Sequence, residues 1–164
     1  MAVTGAEALR LVEATDADFA WMLGETSSPN GLRLADGILD RDILIKTRAN
    51  AARLRAHGCG GSWLMVVDSE VAGLCGYRGP PDAEGVIEIG YSVAEPRRGR
   101  GYATRAVALV VERAVAAPNV RRLRAGTAPH NIASHRVLER NGFEIVGRYA
   151  DPKYGQSILW QREV

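Results

Sequence analysis

Ile87-Glu-Ile-Gly-Tyr-Ser-Val-Ala-Glu-Pro-Arg-Arg-Gly-Arg-Gly-Tyr-Ala-Thr104 runs from an alternating apolar stretch, through a loop of glycine and arginine, into helical sequence. Ile87 and Ile89 bracket Glu88 with the period of a strand, which puts the carboxylate on one defined face. Gly99 and Gly101 reach positive φ without strain and let an oxygen anion approach the main chain. The unpaired amides that open the next helix point outward with the positive end of its dipole. A phosphate is the ligand this pattern suits. A lone Gly-x-Gly is weak by itself, and a tight turn beside a solvated arginine face is the plain alternative.

Working outward, the preceding residues read as a β-hairpin: Trp63 to Val67, an Asp-Ser-Glu turn at Asp68, then Val71 to Tyr77. Pro80, Pro81 and Gly85 make a loop before a strand from Val86 to Val93. On the other side, Ala103 to Ala117 is helical and Leu123 to Thr127 is a strand. Ile132 to Arg140 is a helix closed by Asn141-Gly142, and Phe143 to Tyr149 and Ser157 to Trp160 are strands.

The N-terminal part offers a strand from Leu9 to Val12 and a helix of about ten residues capped by Thr15. Ser27 to Gly31 is turn chemistry, and helical material follows, broken somewhere between Asp36 and His57. A tight turn needs antiparallel strands and a strand-helix-strand crossover needs parallel ones. The expected fold class is therefore α/β (α+β), a mixed sheet flanked by helices.

The 164 residues have the size of one domain, expected over 1–164, and no repeat or linker divides them. A content of 46% hydrophobic and 24% charged residues agrees with a soluble globular protein. Cys59 and Cys75 show no Cys-x-x-Cys spacing, so they read as buried or inert thiols in a reducing compartment and exclude a structural zinc. His130 and His135 do not share a helix face, so no metal site is expected.

Met1 to Glu7 show neither a basic start nor an apolar run, and Ala106 to Val111 is far too short to span a bilayer. The expected location is cytoplasmic, with no membrane partner. A net charge of +2 gives no reason to expect nucleic acid. Lys46 and Lys153 are the only lysines, so the positive charge is guanidinium, and Arg97, Arg98 and Arg100 crowd the loop.

A P-loop is excluded, because the chain has no Gly-Lys. A dinucleotide fingerprint is excluded too, because Thr104 stands where its third glycine belongs. The segment instead resembles the GCN5-related N-acetyltransferase (GNAT) family, in particular its ribosomal-protein N-acetyltransferase branch. That family's loop reads Gln/Arg-x-x-Gly-x-Gly/Ala, and Pro96-Arg97-Arg98-Gly99-Arg100-Gly101 matches it at both glycines, with proline at the first place. Asn131-Ile-Ala-Ser134 and Val137-Leu-Glu-Arg-Asn-Gly-Phe143 match its downstream pattern. Residues 62–160 carry the resemblance.

The resemblance implies a bent, mostly antiparallel sheet whose central parallel strands splay apart, with acetyl-CoA between them. Ser92 and Val93 would pair with its pantetheine arm. The amides of Arg98, Gly99, Arg100, Gly101, Tyr102, Ala103 and Thr104 would hold its pyrophosphate, and Asn131 would reach the arm from the other side. The implied activity is transfer of acetyl to a primary amine, a peptide N-terminus or a small molecule, by direct attack in a ternary complex. Glu88 is the candidate base and the Val93 amide the candidate carbonyl polariser. A lysine-like amine costs roughly 4 to 5 kcal/mol to deprotonate at pH 7 and an α-amine only about 1, so an α-amine needs only a modest base.

Family members often carry a tyrosine seven residues after the asparagine to protonate the leaving thiolate; here that position is Leu138, and Arg105 replaces a frequent glutamate. Ser134 is the candidate substitute. These departures keep open a non-catalytic acyl-CoA sensor. Substrate contacts are expected from Ser27 to Leu34 and Asp151 to Gln156. A homodimer is left open.

Overall fold

The computed structural model describes residues 8–164, so the stretch Met1 to Glu7 weighed above lies outside the described residues. Strand β1 (Arg10–Glu13) leads into helix α1 (Asp16–Met22). A reciprocal cap fixes its start: Thr15 Oγ1 accepts from the Asp18 amide at 3.2 Å, and Asp18 Oδ2 accepts from the Thr15 amide at 2.8 Å. α1 is shorter than expected because Gly24, at φ 78°, turns the chain after Leu23.

After the two-residue strand β2 (Arg33–Leu34), helix α2 (Arg41–Ala56) corrects the expected break. It is one run of 16 residues capped by Asp40, which accepts from the Ile43 amide at 2.9 Å. No glycine or proline interrupts it, and the turn lies ahead of it at Gly37, φ 67°.

Strands β3 (Ser62–Val67) and β4 (Glu70–Tyr77) form the expected hairpin, and β5 (Val86–Val93) pairs antiparallel with β4. Helix α3 (Tyr102–Ala116), strand β6 (Arg122–Thr127), helix α4 (Ile132–Arg140) and strands β7 (Glu144–Asp151) and β8 (Gly155–Glu163) complete the fold. β8 outruns its expected length because β6 and β7 pair with it on either side.

The sheet has eight strands in the order β1-β3-β4-β5-β6-β8-β7, with β2 attached to β4. It is a mixed α/β sheet: the β2–β4 and β5–β6 pairs are parallel and the rest antiparallel. One apolar cluster joins Met65, Ile87, Ile89 and Leu123 to Val107 and Val110 of α3 and Leu138 of α4. The other joins Leu64, Val66, Val71 and Leu74 to Phe19 of α1 and Leu44 of α2. Alternate strand residues thus serve opposite faces, which is why these strands read as continuous apolar runs.

Candidate active site

β5 and β6 pair only from Val86–Glu88 against Arg122–Arg124. Beyond Glu88 they part, while β5 keeps β4 as its neighbour through Val93. The Arg78 amide donates to the Glu88 carbonyl at 2.8 Å, and the Ala94 amide donates to the Ala72 carbonyl at 2.9 Å. Even-numbered residues of β5 therefore aim their main chain at β4, and by the two-residue period Ile89, Tyr91 and Val93 aim theirs into the gap. Val93 thus has its main chain at the open edge. Ser92 does not: its backbone faces β4 opposite Leu74, and Tyr91 takes its place at the open edge.

A single 3-10 turn, Glu95–Arg97, carries the chain from β5 to the loop. Within it the Arg98 amide donates to the Glu95 carbonyl at 3.2 Å, so that N–H, expected among the phosphate donors, is already used. Gly99 and Gly101 sit at φ 76° and 79°. A Cβ on either would meet open space, so the backbone conformation and not crowding selects glycine. The first bond of α3 runs from the Arg105 amide to the Gly101 carbonyl at 3.1 Å, which leaves the Ala103 and Thr104 amides ahead of it without an intrahelical acceptor.

Arg97 and Arg98 brace the loop. Arg97 forks onto Glu70 of β4, with Nη2 to Oε2 at 3.0 Å, and holds that carboxyl below the usual carboxylate range. Arg98 Nε donates to the Val93 carbonyl at 3.1 Å. Arg100 is exposed. Asn141 Nδ2 donates to the Thr104 carbonyl at 3.1 Å and to the Val137 carbonyl at 2.8 Å, tying the end of α4 to the start of α3.

Glu88 stands at the fork itself, as the last residue of β5 paired with β6. Its neighbours Ile87 and Ile89 are buried toward α3, and its own side chain, 51% exposed, lies on the opposite face where water reaches it. Arg78 Nε is 3.6 Å from its carboxylate, and Arg124 is its cross-strand partner.

Across the gap, Asn131 caps α4 by accepting from the Ser134 amide at 3.2 Å. The half-buried Ser134 accepts, through its carbonyl, from the Tyr91 hydroxyl at 3.3 Å. Tyr91 thus spans from β5 to α4, and burial raises its pKa so that it stays a donor. The sequence reading missed it, although its odd spacing with Ile87 and Ile89 on the α3 side was visible. Leu138 is 0% exposed and packs in the core.

The remaining candidates are structural. Burial pushes the Cys75 thiol up to about 12, and Cys59 is half-buried. His135 Nε2 lies 3.1 Å from the Ala128 carbonyl with its ring packed on Trp160. Tyr154 is exposed at the β7–β8 turn beside Lys153. Tyr154 first, and then Asp40 and Asp151, raise the Lys153 pKa.

Similar architectures are known. RimL, a ribosomal L7/L12 alpha-N-protein acetyltransferase in complex with coenzyme A, superposes with a TM-score of 0.72 at 18% identity over 95% of this chain and 94% of its own. An aminoglycoside acetyltransferase in complex with coenzyme A gives 0.69 at 17% identity over 95% of each chain. In sequence, the uncharacterized N-acetyltransferase YjdG of Bacillus subtilis is 32% identical over 95 residues, 57% of this chain and 56% of that protein. The chain thus spans about half the length of this relative. Residues 8–144 match the family model described as the acetyltransferase (GNAT) domain, and the chain belongs to that family.

Proposed function

We propose that the chain is an acetyl-CoA-dependent N-acetyltransferase that acetylates a primary amine, a protein N-terminal α-amine or a small molecule, by direct attack in a ternary complex. The observation that carries this reading is the parting of β5 from β6 at Glu88, which opens a strand edge directly ahead of the Gly99–Gly101 loop. The open edge and the uncapped helix start suit a ligand that is peptide-like at one end and a diphosphate at the other.

Acetyl-CoA would supply an activated thioester. The main chains of Tyr91 and Val93 would hold its arm, the amides from Gly99 to Thr104 its pyrophosphate, and Asn131 would approach from α4. The Val93 amide would polarise the carbonyl. Glu88, open to water, would take the proton from the attacking amine, directly or through one water molecule. The Ser134 hydroxyl would protonate the departing thiolate. Among the described residues no helix is long and apolar enough to cross a membrane. The location we propose is cytoplasmic, and the described residues form one domain in this reading.

Gly101→Asp tests the phosphate site. The substitution forces a side chain into left-handed φ and sets a negative charge at the start of the helix. The expected result is a loss of CoA affinity of at least about 100-fold by calorimetry, because charge-assisted hydrogen bonds are each worth roughly 1.5–3 kcal/mol. Unchanged affinity would place the diphosphate elsewhere. The second reading, a sensor without turnover, draws on Leu138 being buried where a phenol is expected. Thiol release measured with a panel of amines separates the two, since a sensor binds CoA and acetylates none.

A further inference from the structure

On the face of the sheet where Glu88 lies, two guanidiniums flank it, and neither is forked onto a carboxylate. Cross-strand partners share a face, so Glu88 on β5 stands beside Arg124 on β6 and Gln161 on β8. Next along that row, Arg122 is paired with Glu163, Nε to Oε1 at 2.6 Å. Hydrogen bonds from the Val86 and Glu84 amides, at 3.0 and 2.8 Å, hold the Asp82 carboxyl below its usual range, with Arg124 and Arg122 adding to the effect. Arg124 itself donates to a neutral partner, Gln161 Oε1, at 3.4 Å.

On the β4 side, Arg78 is 65% exposed and lies along the floor of β5. A Cβ at Gly90, two residues beyond Glu88 on the same face, would come within 2.9 Å of its Nε. Glycine at 90 is what lets this guanidinium lie flat beside the base. On the other side of the gap, the Tyr149 hydroxyl covers Gly126 in the same manner. Glu88 thus lies between Arg78 and Arg124, two guanidiniums whose donors no bidentate carboxylate takes up.

Resting on the transferase reading above, we propose that the acceptor carries a carboxylate close to its reactive amine, and that Arg78 and Arg124 read it. Guanidinium forks match carboxylates in shape as well as charge, and they repel an acceptor built of several ammonium groups. Two sources share this chemistry: the α-carboxylate of a free amino acid, and an acidic side chain next to the N-terminus of a peptide. Either keeps the attacking amine beside Glu88 while its anion takes up guanidinium donors that no carboxylate fork occupies. Arg78 and Arg124 are in this account specificity residues, and Glu88 remains the proton acceptor.

The test uses the full chain with acetyl-CoA, thiol release as the readout, and matched acceptors that differ only in charge. These are alanine against alaninamide, the dipeptide amides Ala-Asp against Ala-Asn, and spermidine as the polycation. The expected result is that the acid form of at least one pair is preferred about tenfold in kcat/KM, through KM, as for one charge-assisted contact. The pair that shows the preference identifies the source. Arg78→Gln and Arg124→Gln should each lower the acid-to-amide ratio toward one, and Arg124→Lys should restore part of it. Thermal melts and CoA calorimetry verify that the variants fold.

Equal rates for acid and amide in both pairs overturn the proposal, as does spermidine outpacing every acid. So does a ratio that survives in the Arg78→Gln, Arg124→Gln double variant. Failure of every amine, with CoA still bound, overturns the transferase reading and this inference with it, and that outcome is distinguishable from the others.

Discussion

Glu88 and Gly101 are the residues whose chemistry the backbone fixes most tightly. Glu88 keeps its carboxylate in water at the fork of two strands, with apolar neighbours turned the other way. Glu88→Gln preserves shape and removes the proton acceptor, so kcat for an amine should fall by about 10²- to 10⁴-fold, the usual worth of a general base. CoA affinity measured by calorimetry should stay where it was; a kcat within twofold of the parent would remove Glu88 from proton transfer. Both residues were legible because each depends on local geometry, a two-residue period for Glu88 and positive φ for Gly101. Arg98 and Ser92 were misread for the opposite reason. Whether a main-chain N–H is free depends on its neighbours in space: Arg98 gives its amide to a 3-10 turn, and the pairing parity with β4 turns Ser92 away.

At the scale of elements, the loop before α3 is held to β4 by Arg97 and Glu70. Arg97 hydrogen bonds keep the folded-state pKa of Glu70 below its unfolded value, with Arg33 and Arg100 adding to the effect. A depressed carboxylate pKa stabilises the fold above the unfolded value, about 4.3, and that contribution is lost as pH falls through the lowered folded value. The stability difference between the parent and Glu70→Gln should therefore be largest at neutral pH and shrink toward pH 3, as urea melts at the two values would show. A difference independent of pH would mean that the ion pair contributes nothing. The elements themselves were largely readable, since caps, turns and apolar period agree along β3 to α4. α2 was misjudged because Ile38 and Leu39 extend its apolar pattern back toward Gly37, whereas the helix starts only after its cap, Asp40.

Across the whole molecule, function rests on the sheet being closed at one end and open at the other. Pairing of β6 with β8 along its full length and of β5 with β4 holds both arms of the gap in place. The splay was legible only through the family resemblance, because no local signal says where two parallel strands stop bonding. The charged surround of Glu88 was not legible at all: Arg78 just past β4, Arg124 on β6 and Gln161 on β8 are distant from one another in sequence. The measurement that bears most directly on the central claim is backbone amide exchange by NMR with and without CoA. The account predicts that protection rises together at Gly99 to Thr104 and at Tyr91 and Val93, while α2 is unchanged. CoA bound by calorimetry with exchange at both segments unaltered would contradict it.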